Sequence, residues 1–409
     1  MVSGERSASR SADSWAFPVT VVKVGGSLLR SAPDLERAAA FVARRRREGE
    51  SMLVVVSALW GVTDQLDRLA SLAADPSTNG ACGRAVETLR QQHEAVAQGL
   101  GGGSQSALLG AAIHPLLADV TARVEGIRRS GGSSEWTYTR LLSSGERLAA
   151  DLMAAAIRCA GADARAITAE GLGLRARGPA RNGACDLEGS AAGFREIRSE
   201  LCRRVLVLTG FYGLASEGRV VLFGRGGSDD TASAAAACLE AETLELWKDV
   251  PGCMSSDPKV IAGARPVPEL SFNEAEMLGG YGCPLVHSTC LEVLRNRPIR
   301  VEIGLPEGLE GRRTRLVQQR SGPAGVTVLV AHNEPPRVAA VGEGLVAATA
   351  LVEQMRESLA RAQIRGPLTP RFSGTAGVSF DVGSDECVAA LTCLHDTFFP
   401  PSPTGGQTA

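Results

Sequence analysis

The sequence predicts an α/β protein, a parallel sheet covered by helices on both faces, followed by a smaller α+β module. Three observations carry that expectation. Short β-branched runs alternate with stretches of helical periodicity through the first three hundred residues. The first of those runs ends at paired glycines, as a buried strand does when it turns into a loop. The composition then changes after Arg300-Val-Glu-Ile303, and Ser321-Gly-Pro-Ala-Gly325 reads as a linker before a second set of strand and helix signals.

Val19 to Val24 reads as the first buried strand, and Pro33 to Glu48 as a helix with proline in its first turn. Met52 to Val56 is a second buried strand ending at Ser57. Residues 75–135 interrupt the alternation with Gly- and Ala-rich, mostly helical sequence. Ser143 to Ala160 is a strong helix, opened by serine with Glu146 in its first turn. Strands follow at Ala164–Thr168 and Val205–Thr209, and Arg219 to Phe223 forms a hairpin strand. Asp229 to Leu239 is a helix and Thr243 to Trp247 a strand. The tail carries strands at Val326–Ala331, Val338–Val341 and Gly377–Val382, with helices at Ala347–Ala362 and Asp385–Phe398.

A chain of 409 residues has room for two or three domains with real cores. With 44% apolar residues and a formal charge of -2, it has neither the composition of a disordered chain nor a nucleic-acid footprint. The basic run Arg44 to Arg47 is read as a solvated helix end. Ten cysteines without C-x-x-C pairs and five dispersed histidines give no metal-site spacing and point to a reducing, cytoplasmic setting. Residues 1–17 are polar, expected to be a disordered extension without a signal-peptide core, and no apolar run is long enough to span a membrane. Residues 400–409 are expected to be a disordered tail.

Three segments carry chemistry. Lys23-Val-Gly-Gly-Ser27 brings backbone N–H groups and a lysine to a strand end, where Lys23, Gly25, Gly26 and Ser27 could hold phosphate oxygens. Glycine also suits any tight strand-to-helix turn. Gly224-Arg-Gly-Gly-Ser-Asp229 opens a helix with Arg225 placed for a carboxylate and Asp229 for an ammonium. The strand ending at Lys248-Asp249 leads into a loop through Met254, Asp257 and Lys259 that could cover a nucleotide.

Together these segments resemble the amino acid kinase family, and the aspartate kinases in particular. The resemblance is strong over residues 19–318 and weak over 336–399. It implies a three-layer α/β/α catalytic domain at 18–318, with the 75–135 segment as a helical excursion. It also implies a small ACT-like domain at 326–399. Val54-Val-Val-Ser57 through Thr63 matches the motif whose serine and threonine flank the amino acid, although Asp64 stands where asparagine is usual. Leu142-Ser-Ser-Gly-Glu146 matches the helix start whose glutamate holds the substrate ammonium. Gly210-Phe211-Tyr-Gly213 places Phe211 at the substrate pocket, and Ser228 joins Arg225 and Asp229 there. Lys248, Asp249, Asp257 and Lys259 match positions at ribose and phosphates, with Met254 in place of an aromatic residue at the adenine.

The resemblance thus implies ATP with Mg²⁺ as cofactors, L-aspartate as the small-molecule substrate, and Lys23, Arg225 and Asp229 as catalytic residues. It implies a homodimer through the ACT-like module. Four departures accompany it. Leu28 replaces a hydroxyl residue, Ile303-Gly304-Leu305 replaces the usual N-T-F, Pro284 stands at the second phosphate-binding lysine, and no room remains between Leu316 and Arg337 for the first of two ACT modules. An enzyme of this fold acting on another amino or carboxylic acid, or a non-catalytic regulatory paralogue, is compatible with these departures.

Overall fold

The structure, a computed structural model, describes residues 17–100, 104–283, 285–306 and 313–400. Pro284 and both expected disordered ends, apart from Phe17 and Pro400, lie outside the described residues.

The main sheet has eight strands: β1 (Val19–Val24), β2 (Ser51–Val56), β3 (Ala164–Ile167), β4 (Val205–Thr209), β5 (Thr243–Trp247), β6 (Glu269–Ser271), β7 (Arg300–Gly304) and β8 (Thr314–Val317). Their order across the sheet is β6-β8-β7-β5-β1-β2-β4-β3. Every residue of β2 is buried. Successive side chains of a strand point to opposite faces, so a wholly buried strand needs cover on both. Helices Ala32–Arg47 and Ser144–Cys159 pack on each other, and helix Gly227–Cys238 packs along β1 and against helix Leu187–Leu201.

The expected parallel sheet is therefore present, with one qualification. β8 runs antiparallel to β7, and β6 is parallel to β8, so this edge pair reverses the strand direction. Strands of three and four residues give too short a period to be read from sequence. In the 75–135 region the structure has helices Asn79–Gly99 and Ser104–Ser130, in agreement with the helical expectation.

Register sets the position of the site. Val24 of β1 pairs with Val56 of β2 and with Trp247 of β5. Three adjacent parallel strands thus end level, and the loops beyond them form a crevice at their carboxyl ends, where ligands of open α/β sheets bind.

The C-terminal module is a four-stranded antiparallel sheet from Val328–Asn333, Pro336–Val341, Arg371–Ser373 and Gly377–Asp381, with helices Thr349–Arg361 and Cys387–Phe398. It has its own core, built around Leu329, Met355, Val378, Phe380 and Leu394. The module is joined to the loop after β5 by polar contacts. Leu329 N–H donates to the Ser255 carbonyl at 2.8 Å, and Ser255 Oγ lies 3.0 Å from His395 Nε2.

Candidate active site

The crevice holds a cavity of about 340 Å³ lined by Lys23, Gly25, Gly26 and Ser27 from the β1 turn. Ser57, Trp60, Thr63 and Asp64 come from the segment after β2, and Lys248 and Asp249 from the end of β5. The glycines are required by space. A Cβ at Gly26 would sit 2.9 Å from the Ala58 carbonyl oxygen, and one at Gly25 would sit 3.2 Å from that of Trp247. Only bare backbone lets the turn pass between the ends of β2 and β5.

Two lysines converge on one buried carboxylate. Lys23 Nζ lies 2.7 Å from Asp229 Oδ1, and Lys248 Nζ lies 3.5 Å from Asp229 Oδ2. Lys248 Nζ also donates to the Leu285 carbonyl at 2.6 Å. Burial alone would push the Asp229 carboxyl up, but the two ammonium groups outweigh it and hold the pKa below its ordinary value. The cluster thus carries one negative and two positive charges beside a glycine turn, a ready site for an anion. Asp229 is delivered there by helix Gly227–Cys238, whose cap Gly226 has φ +76°. A Cβ at Gly226 would also meet His287 Cβ at 2.9 Å and its ring at 3.1 Å.

Glu146 lies behind the cavity and is only 2% exposed. Its Oε1 accepts from Ala58 N–H at 3.2 Å, while Oε2 is buried without a hydrogen-bond partner. Burial pushes its pKa up to about 8, against the smaller opposing effect of that backbone donor. An unpaired buried carboxyl oxygen of this kind is suited to receive a cation. The helix bearing Glu146 differs from the sequence expectation at its start. Ser143 does not cap it, because the chain runs in directly from helix Glu135–Leu142 and Ser143 Oγ donates back to the Arg140 carbonyl.

The remaining site residues fall into two groups. Phe211 and Ser228 flank the arginine turn: Phe211 packs on Gly227, and Ser228 packs under Gly210. Phe211 adopts φ +74°, an uncommon conformation for a bulky residue. Its N–H is held by Thr231 Oγ1 at 3.1 Å and its carbonyl by Phe223 N–H at 2.8 Å. Arg225 is exposed on that turn and does not line the cavity around Lys23. Met254, Asp257 and Lys259 lie on the loop after β5, again away from that cavity lining. Met254 bridges Pro266, and Asp257 Oδ1 accepts from Lys259 N–H at 2.9 Å.

Sequence reasoning missed the mouth of the cavity. Trp60 is 56% exposed there, with the Arg30 guanidinium 4.9 Å over its ring. Arg30 in turn donates to Asp249 Oδ2 at 3.1 Å, linking the two walls. A bulky aromatic immediately before Gly61 was the available signal.

This arrangement, a glycine turn and two lysines at level strand ends of a three-layer α/β domain, defines a class of phosphate-handling fold. The sequence profile of the amino acid kinase family matches residues 18–304, and the chain belongs to that family. Within it the chain is aspartokinase-like. It is 24% identical over 307 residues to the aspartokinase of Geobacillus stearothermophilus, covering 74% of this chain and 59% of that one. With the aspartokinase of Corynebacterium glutamicum it shares 29% identity over 287 residues, 69% of this chain and 54% of the relative. The chain thus spans little more than half the length of these curated relatives. Among solved structures, E. coli aspartokinase III in complex with lysine and aspartate superposes with TM-score 0.78 at 20% identity, over 93% of this chain and 99% of that one. The same enzyme in complex with aspartate and ADP gives TM-score 0.78 at 19% identity, over 93% of this chain and 100% of that one.

Proposed function

We propose that this chain transfers the γ-phosphoryl group of ATP to the side-chain carboxylate of L-aspartate, giving 4-phospho-L-aspartate and ADP. The observation that carries the reading is the pair of lysines on Asp229, facing a glycine turn in the crevice. Lys23 and Lys248 neutralise the phosphates, Gly26 and Ser27 donate to them, Gly25, whose N–H is taken by the Trp247 carbonyl at 3.3 Å, lets the turn approach, and Asp229 holds both ammonium groups in position. Phosphoryl transfer of this kind depends on positioning and charge neutralisation. The acceptor carboxylate is already ionised near pH 7, so no general base is needed.

The amino acid is held by its ends. Arg225 binds its α-carboxylate through a planar fork, and Glu146 receives its ammonium on the unpaired oxygen. Ser57, Thr63, Phe211 and Ser228 complete the pocket, while Asp249, Met254, Asp257 and Lys259 serve the nucleotide. Among the described residues no group of three or more His, Cys, Asp or Glu side chains could hold a metal. Mg²⁺ is proposed to enter on the nucleotide, since this ion keeps several waters and is held largely by substrate phosphates. When bound it neutralises phosphate charge. The C-terminal module is proposed to be ACT-like and to carry a homodimer contact.

The deciding experiment is ADP release with L-aspartate as acceptor, with hydroxylamine trapping of the acyl phosphate. Aspartate-dependent ADP release with a matching yield of hydroxamate supports the reading. A panel of other amino and carboxylic acids in the same assay shows whether aspartate is the preferred acceptor. Nucleotide binding without ADP release for any acid overturns it.

A further inference from the structure

A second and larger cavity, of about 990 Å³, lies between the β6-β8 edge of the main sheet and the C-terminal module. Five arginines line it: Arg44, Arg265, Arg313, Arg315 and Arg320. Three of them have carboxylate partners. Arg313 pairs with Glu245 at 3.0 Å and Glu302 at 3.1 Å, Arg320 with buried Glu274 at 2.9 Å, and Arg315 with Glu269 at 3.8 Å. Among the described residues, Arg44 and Arg265 have no carboxylate within ion-pair distance. Both are nevertheless held in place. The Arg44 guanidinium lies 4.7 Å over the Phe41 ring, and Arg265 donates to the backbone carbonyls of Phe399, at 3.2 Å, and Pro400.

An isolated exposed arginine is ordinarily a solvated charge. Here two pre-positioned, unneutralised guanidinium groups share one concave space whose walls include Phe41, Val267 and Phe399. Apolar walls focus the field of such charges into the cavity. Planar forks match carboxylate and phosphate oxygens two at a time. We propose that this cavity binds a small organic anion carrying at least two carboxylate or phosphate groups, one for each unneutralised arginine. The occupant touches the helix that follows the phosphate turn and the end of the C-terminal module at once.

Isothermal titration calorimetry of the full chain at low ionic strength tests this, with citrate and inorganic pyrophosphate as separate probes. Saturable binding of at least one probe to the wild-type chain is expected, weakened tenfold or more in an Arg44→Ala/Arg265→Ala double variant whose thermal melt is unchanged. Binding of citrate alone identifies a polycarboxylate site, binding of pyrophosphate alone a phosphate site, and binding of both a site read by charge. Should the double variant melt early, Arg44→Glu alone, an exposed change near a helix end, carries the same expectation. The proposal is overturned if neither probe binds the wild type, or if the folded variants bind as tightly as the wild type.

Discussion

Lys23 Nζ lies 2.7 Å from Asp229 Oδ1, at the floor of the cavity where β1, β2 and β5 end together. The pair is buried, and Lys248 approaches the other carboxylate oxygen. Asp229 therefore does two things at once. It compensates two ammonium groups in the free protein, and it fixes where those groups point when an anion arrives.

Lys23→Ala is expected to lower kcat by about 10²–10³-fold, the scale of losing one pre-positioned charge at a transferring phosphate. Aspartate affinity should change little. Steady-state kinetics with a thermal melt as folding control measures both, and normal turnover in a folded variant would remove Lys23 from the mechanism.

Lys248→Met should also reduce kcat while leaving the aspartate KM near its wild-type value. Its ammonium is shared between Asp229 and the Leu285 carbonyl, so it approaches the same anion site from the β5 side. The comparison that matters is kcat against KM: a rise in aspartate KM alone would place Lys248 on the acid instead.

Arg225→Ala is expected to weaken aspartate use by about 2–4 kcal/mol, the value of a charge-assisted bidentate contact. Because Arg225 is exposed on its turn, the variant should melt like the wild type and bind ADP unchanged. Equal losses of ADP and aspartate binding would contradict the assignment.

Glu146 links stability to pH. Its folded pKa is about 8 against an ordinary value of 4.5, so between those values the unfolded chain releases a proton that the folded chain keeps. Stability contributed at this position therefore falls as pH rises from about 4.5 to about 8 and is level above that. Glu146→Gln, which retains the oxygen facing Ala58 N–H, should be more stable than wild type by about 3–5 kcal/mol at pH 9 and nearly equal at pH 4.5. Denaturant melts across that range show it. A constant difference at all pH values would mean that Glu146 ionises normally.

The same carboxyl should make aspartate binding pH-dependent. Only its ionised form attracts an ammonium, so affinity is expected to rise with pH by up to about tenfold per unit below 8 and then flatten. Calorimetric titration from pH 6 to pH 9 follows this slope, and Glu146→Gln should bind weakly with no slope.

Much of the fold was legible because burial on both faces demands unbroken apolar runs. Met52 to Val56 carries that pattern and is a strand; Thr243 to Trp247 is a strand as well, although Glu245, paired with Arg45 and Arg313, interrupts its apolar run. Glu269–Ser271 and Thr314–Val317 are too short to show any pattern, and they acquire their form from pairing with each other and with Arg300–Gly304. The helix Leu187–Leu201 was not singled out in sequence, although Asp186 caps it through Gly189 N–H. At the site, the glycine turn could be read from residues 23–27 alone. The contact of Lys248 with Asp229 could not, since it joins separate elements in space. Nor could the raised pKa of Glu146, which follows from its own burial. Gly145 beside it is packed so closely that an added Cβ would lie 2.9 Å from Ala58 and 3.1 Å from Val62.

The segment 321–325 reads in sequence as a linker, yet the chain on its two sides is stitched together. Glu274, wholly inaccessible to solvent, accepts from Thr327 Oγ1 at 2.6 Å and from Glu343 N–H at 3.0 Å, both beyond that segment. Cutting the chain at residue 325 would leave Glu274 with Arg320 and Ser271 N–H but take away its donors at Thr327 and Glu343, and would leave Ser255 without His395. The N-terminal part that carries the main sheet is thus expected to be a poor candidate for expression alone, because part of its interior is completed by chain that lies downstream of the apparent border.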